Sequence, residues 1–457
     1  MNTHALPDST AQAPRRASFT GGLLAGYGLL VLVIATIFSA LDRQIFVLLA
    51  EPLGLSLGLS DTKLGLLQGA GITLFSGLAA VPLGWLADRW GRRLVLAACV
   101  LVWAVATAAC GLARDFDALF IAAIGLGLGE AGLAPIVYGL IPDIVPERRR
   151  VLANGIYALA AILGAGLGIA LSGALVQALE AVRHVLPAEL QPMETWRLAF
   201  LAVALPGPLV ALAVLLIRLH PQGGAVLLDA GHARAAPALG PFLRAHRRTM
   251  LGMFGGSGLA GLGVAASGNW VPVVATRIFG ESAAQVGNGV GSAYLLGTGA
   301  GAAIGMACVK LLGRRVGLAL PVRVVVIGSA LSVLASLAML LTQNATGLYL
   351  LFGLQVATLI AGSVLAPTML QDMSPAALRS RVIAIGSALT VGLSALSPVL
   401  VGAWSDRLTT HPHGLLIAMA GVGAAAFALA ALAMVWAEPH FARTVAAIHP
   451  GLAARRD

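Results

Sequence analysis

Asp42, Arg43 and Glu130 are ionisable residues set inside long apolar runs. In a helix that crosses lipid each such group costs at least about 2.5 to 3.5 kcal/mol on insertion scales, so it must face a partner or a water-filled cavity. Successive helical residues point about 100° apart, so Asp42 and Arg43 cannot both aim at one point. Arg43 can therefore reach Glu130 across a helix interface, which leaves Asp42 the freer group to bind a proton. The alternative is a static buried salt bridge between Arg43 and Glu130 that only fixes helix packing.

Other chemistries lack their parts. The only lysines, Lys63 and Lys310, do not follow the glycines of a phosphate-binding loop, so ATP drive is not expected. There is no His-Glu-x-x-His run and no Gly-x-Ser-x-Gly elbow, which removes the signatures of metal-assisted and serine hydrolysis. Cys99 and Cys110 lie about 16 Å apart along one helix, beyond disulfide reach, and Cys308 is alone in another apolar run. Gly127-x-Gly129-x-x-Gly132 and Gly256-x-Gly258-x-x-Gly261 spell a dinucleotide fingerprint, but neither follows a strand, and in apolar helices such glycines are packing contacts. No enzyme activity, metal or cofactor is expected. A net charge of +10 does not point to nucleic acid, because the charge is distributed along the loops in a pattern of its own.

The elements that must hold these residues follow from composition. The chain has 457 residues, of which 58% are hydrophobic and 11% charged, with mean hydropathy +0.91. Its apolar runs are long enough to span a bilayer and show none of the alternation of barrel strands. They predict an all-α membrane protein with helices over roughly 22–50, 61–87, 94–113, 117–142, 148–179, 195–219, 248–277, 282–311, 316–342, 346–371, 377–404 and 413–438. The long polar stretch after the sixth gives a tail at 1–21, a six-helix bundle at 22–219, a linker at 220–247, a second bundle at 248–438 and a tail at 439–457. Outside the apolar runs, 22 of the lysines and arginines fall on one side and 6 on the other, so both termini, the linker and both tails are expected on the cytoplasmic side. The apolar run after Arg15 and Arg16 is too long for a cleavable signal, so none is expected.

The halves echo each other. Leu133-Ala134-Pro135, then Asp143 and Pro146, then Arg148 to Arg150, correspond to Leu365-Ala366-Pro367, Asp372 and Pro375, then Arg379 and Arg381. Gly84 to Arg93 is echoed by Gly305 to Arg315, with Gly313-Arg314-Arg315 in place of Gly91-Arg92-Arg93. Two matches at corresponding positions favour duplication into pseudo-symmetric halves, the architecture of transporters with a site near mid-membrane.

The run Gly84-Trp85-Leu86-Ala87-Asp88-Arg89-Trp90-Gly91-Arg92-Arg93, between the second and third helices, carries a family resemblance. It resembles the signature loop of the major facilitator superfamily, which implies twelve helices in two bundles and a conformational latch formed by Gly84, Asp88, Arg89, Gly91, Arg92 and Arg93, with Asp143 and Arg148 in the corresponding loop of the same bundle. Leu41-Asp42-Arg43-Gln44-Ile45 together with Gly127 to Pro135 is similar to the spinster branch, which exports lysolipids and sphingolipid phosphates. That resemblance implies that Asp42, Arg43 and Glu130 lie in the central cavity and that Asp42 serves proton coupling. The branch usually has an arginine seven residues before the glutamate; here the position is Ala123, on the same helical face as Glu130, so one partner for an anionic head group is gone.

Asn269, Trp270, Tyr294 and Gln355 are polar or amphipathic enough to line the cavity, although ordinary helix packing or interface anchoring would also account for them. The expected function is an ion-driven secondary transporter, coupled to protons, that moves an amphipathic lipid-like anion by alternating access. Small organic anions or drugs are the alternative substrates on the same fold. The expected setting is an integral multi-pass position in the bilayer, the inner membrane for a bacterial source, as a monomer.

Overall fold

The computed structural model describes residues 19–219, 239–375 and 378–448. The predicted tail at 1–21 and the predicted linker therefore lie largely outside the described residues, and the tail at 439–457 partly so. Twelve helices are long and apolar enough to cross a membrane, numbered here as spans in chain order. The first half comprises span 1 (Leu24–Leu48), span 2 (Asp61–Trp90), span 3 (Arg92–Leu112), span 4 (Phe116–Ile144), span 5 (Glu147–Val185) and span 6 (Thr195–Leu215). The second comprises span 7 (Arg247–Phe279), span 8 (Ala283–Gly313), span 9 (Gly317–Met339), span 10 (Ala345–Asp372), span 11 (Arg381–Ser405) and span 12 (Gly414–Ile448). Among the described residues there is no strand.

Several span ends fall a few residues from the sequence expectation, span 5 running to Val185 instead of 179, and two differences have a packing reason. A short helix, Leu239–Ala245, occupies part of the predicted linker, because Leu239, Phe242 and Leu243 bury against the second half. Span 12 continues ten residues beyond 438, through Pro439, since Phe441, Thr444 and Val445 still face the core.

The face holding the start of span 1 and the end of span 12 is called the terminal face. At the opposite face spans 2, 4, 8 and 10 begin on capped turns. Ser60, Asp115 and Asn344 accept backbone N–H bonds from Lys63, Ala118 and Gly347, and Ser282 with Gln285 forms a reciprocal capping box. At the terminal face Gly91 turns the chain between spans 2 and 3 with φ 97°. In the second half the left-handed turn falls on Gly317, φ 64°, and span 8 runs helically past Gly313. The echo of Gly91 by Gly313 is thus one of sequence; the turn itself has moved one helical turn onward.

The halves meet where span 2 packs on span 11 and span 5 on span 8, two seams related by the internal repeat. Glycines permit this. A Cβ on Gly65 would strike the Pro398 carbonyl and lie 2.9 Å from the Val399 Cα, and one on Gly173 would lie 3.0 Å from the Gly287 Cα. Apolar packing agrees: one core runs through the first half into Trp270, Val290, Phe352 and Val401 of the second, whereas Met253, Phe254, Met369, Met434 and Phe441, nearer the terminal face, form a separate cluster. The bundles share a core on one side of the molecule only.

Candidate transport site

Span 1 delivers Asp42 and Arg43 in different directions, as helical spacing requires. Arg43 donates from Nε and Nη2 to a single oxygen of Glu130, Oε2, at 3.0 and 2.6 Å. The pair is lopsided, with 44% of the arginine side chain exposed and 1% of the glutamate. Asp42 turns inward, where its Oδ1 accepts a 2.9 Å hydrogen bond from the Thr107 hydroxyl of span 3 and its buried Oδ2 has no partner.

Arg43 lines a cavity of about 550 Å³ between the halves. Gln44, Val47 and Thr73 share its wall on the first half, and spans 7 to 12 supply the rest. The lining runs to Pro321 and Met369, within about one turn of the terminal-face ends of spans 9 and 10. Among the described residues Arg43 is the single charged one in the lining. Around it stand the hydroxyls of Ser257, Ser329, Ser332, Thr358, Thr390 and Ser394, and an apolar surface that includes Val264, Val325, Leu359 and Phe427. The arrangement suits an anion with an apolar body.

The other sequence candidates divide. Asn269 and Tyr294 line the cavity; Asn269 donates to Ala265 O at 2.8 Å in its own helix, and Tyr294 stacks edge-on against Phe352. Trp270 is fully buried and does not line it, nor does Gln355, which donates to Ser336 Oγ at 2.9 Å behind the wall. Glu130 likewise stands behind Arg43. Ala123 is wholly buried, 3.1 Å from where a Cβ on Gly71 would be, so the face it shares with Glu130 packs on span 2 and has no room for an arginine. The glycines of both dinucleotide-like strings serve packing: Gly129 meets Trp103, Gly132 meets Cys99, and Gly258 meets Leu393.

Residues expected to form a latch are bonded to one another within the first half. Arg92 bonds Asp88 Oδ1 at 2.8 Å, Asp143 Oδ2 at 3.0 Å and the Gly139 carbonyl at 3.0 Å. Arg93 caps the end of span 6 at Ile217 O, and Arg89 lies over the Trp85 ring. Gly91 supplies the turn, and Arg148 sits in the single 3-10 turn Glu147–Arg149 that opens span 5. Gly84 would tolerate a Cβ, whose nearest neighbour is Pro135 at 3.9 Å, so crowding does not explain this glycine.

Sequence reading missed the lock at the opposite face. Arg277, at the end of span 7, bonds both oxygens of Glu51 and both of Asp61, at 2.6 to 3.0 Å. Asp406 accepts from the backbone amides of Asp61 and Thr62, and Ser405 donates to Asp61 Oδ2 at 2.6 Å. These bonds join the halves across the face away from the cavity's extension. Burial alone would raise the Asp406 carboxyl, but the hydrogen bonds from Thr62 and Asp61 outweigh it and hold the carboxyl below the ordinary aspartate range. A second omission lies in span 2, where Leu67–Leu74 forms a π segment holding Gln68, buried with neither amide atom partnered. Such segments recur at functional sites. The available signal was three charges, Glu51, Asp61 and Arg277, at helix ends on the side otherwise poor in arginine.

The sequence profile of the Major Facilitator Superfamily matches residues 32–391. The chain belongs to this family. A solved bacterial homologue of the human lysosomal transporter Spinster, inward-facing and unoccupied, superposes with TM-score 0.76 at 21% identity, covering 93% of this chain and 98% of that one. An MFS-type efflux pump of Mycolicibacterium smegmatis is 31% identical over 34% of this chain and 36% of its own length. The sphingosine-1-phosphate transporter SPNS2 of Mus musculus is 28% identical over 32% of this chain and 27% of its own. The chain thus aligns with about a third of the length of these curated relatives. Family and fold are those of transporters, and the chain is an integral multi-pass membrane protein.

Proposed function

We propose that this chain is a proton-coupled secondary transporter of an amphipathic, lipid-like anion, working as a monomer with both termini in the cytoplasm. The observation that carries the reading is Arg43, among the described residues the one cation in a cavity that is otherwise hydroxyl-bearing and apolar. A head-group anion exchanges with Glu130 for the guanidinium while its apolar body lies against Val264, Val325 and Phe427. Asp42, one helical step away and bonded only to Thr107 through one oxygen, takes and releases the proton. Exchange of the Arg43 partner alters what holds span 1 to span 4, and any difference in ligand affinity between the two states shifts their populations. With the terminal face cytoplasmic, the locked face is the outer one, and the Asp88–Arg92–Asp143 cluster is the latch that engages when the cavity turns outward.

A second reading, a small organic anion or drug, draws on the hydroxyl-rich wall and on the efflux pump among the relatives. Proteoliposomes bearing a pH gradient, offered lysophospholipid, sphingosine phosphate, a sugar acid and a cationic drug in parallel, separate the two. Gradient-dependent movement of the first two supports the lipid reading; movement of the sugar acid or drug alone supports the second.

A further inference from the structure

Away from the transport cavity, at the terminal-face end of the second half, a cavity of about 450 Å³ is lined by Arg244, His246, Arg247, Arg248, His440 and Arg443 above Thr249 and Thr444. Three elements converge on it: the short helix Leu239–Ala245, the first turn of span 7 and the last turns of span 12. Apolar packing forces the convergence, because Leu239, Phe242 and Leu243 pack onto the cluster that contains Met250, Met253, Phe254 and Phe441. The floor is polar and buried: Thr249 and Thr444 share a 2.8 Å hydrogen bond, and His246 Nδ1 lies 3.1 Å from the Thr444 hydroxyl.

Among the described residues no carboxylate lines this cavity. The acid closest along span 12, Glu438, is taken by Arg323 at 2.9 Å. Arg244 donates to the Gly240 carbonyl, and Arg247, Arg248 and Arg443 are exposed. Four guanidinium groups gathered here repel one another, and the amides opening span 7 add the positive end of a 33-residue helix. The depth in the membrane is marked by Trp436, half exposed and edge-on to His440 at 5.4 Å, with exposed Leu432 and Val435 just before it. Tryptophan at the end of an exposed apolar face stands at the head-group level.

We propose that this cavity binds the phosphate of an anionic phospholipid, with Arg247 and Arg443 as its principal donors. Planar guanidinium forks pair with phosphate oxygens, and the cavity lies where a lipid head group arrives laterally while its chains rest on the exposed face of span 12. The inference does not rest on the identity of the transported substrate.

Native mass spectrometry of the purified full chain tests it, with titrations of phosphatidylglycerol, phosphatidylcholine and sodium phosphate. Phosphatidylglycerol should be retained at one tight site, phosphatidylcholine should not, and sodium phosphate should fail to displace the lipid. Arg443→Gln should weaken retention about fivefold and Arg247→Gln with Arg443→Gln about thirtyfold, as expected for one surface arginine and two. The paired lysine replacements should keep most of the retention, and Arg407→Gln, exposed at the opposite face, should leave it unchanged. Equal retention of both lipids, unaltered retention in the double variant, loss in Arg407→Gln, or displacement by phosphate alone would each overturn the proposal. If the double variant does not fold, Arg443→Gln, altered at an exposed side chain, reads the same outcomes.

Discussion

Arg43 and Glu130 are unequal partners, and the inequality can be measured. Removing Glu130 leaves a guanidinium 44% exposed to the cavity, where water replaces the lost bonds, so Glu130→Gln should cost about 1 kcal/mol or less. Removing Arg43 strands a carboxylate that is 1% exposed, and Arg43→Met should cost about 3 kcal/mol or more. Thermal unfolding of the purified variants should therefore show the larger drop for Arg43→Met; equal drops would contradict the geometry. The pairing itself was legible in the sequence, because two opposite charges inside apolar runs must find each other. The surroundings of Ala123 were not. Helical spacing put it on the face of Glu130, but the partner of that face is the π segment of span 2, which no periodicity reveals. Ala123→Arg should accordingly crowd Gly71 and bury an unpaired charge, and the variant should fail to yield folded protein or melt well below the parent. A stable variant with tighter anion binding would place position 123 in the cavity after all.

At the scale of elements, closure of the opposite face depends on the Gly65 seam and the Arg277 lock. Arg277→Gln removes the cation that ties Glu51 and Asp61, both buried in the first half, to the end of span 7, and span 7 should part from the first half at this face. Gly65→Val should wedge span 2 from span 11 at a cost of about 1 to 3 kcal/mol, enough to change the population ratio by roughly 5-fold to 150-fold. Spin labels at Leu55 and Leu341, exposed residues of the two halves at this face, should report a new longer distance in each variant. An unchanged distance distribution would mean that neither feature holds the face shut. The pH dependence has a definite sign. Because the Asp406 carboxyl is held below its ordinary range, its bonds to the Asp61 and Thr62 amides contribute fully above the ordinary aspartate value of about 4 and are lost only as pH falls through the lower, folded value. Between pH 5 and 8 closure should not change through Asp406. Sequence alone hid this lock, since Arg277 lies more than two hundred residues from Glu51 and Asp61 and each reads as an ordinary charge at a helix end.

Across the whole molecule, twelve spans and two halves were legible because lipid demands long apolar runs and the repeat preserves Pro and Asp at matching places. Which face is shut was not, because the apolar runs that mark the spans carry no record of how spans 2, 5, 8 and 11 meet. The proposed transport reading joins these scales: in it Arg43 would hold the anion, Asp42 would carry the proton, and the glycine seams and ion lock would set which face is open. Its most direct test compares two assays in proteoliposomes containing Asp42→Asn, using the lysophospholipid or sphingosine phosphate that the parent moves. Substrate exchange at equal pH on both sides needs no net proton movement and should persist, whereas accumulation driven by a pH gradient should vanish. Gradient-driven accumulation at the parent rate in Asp42→Asn would contradict the assignment of proton coupling to this carboxylate.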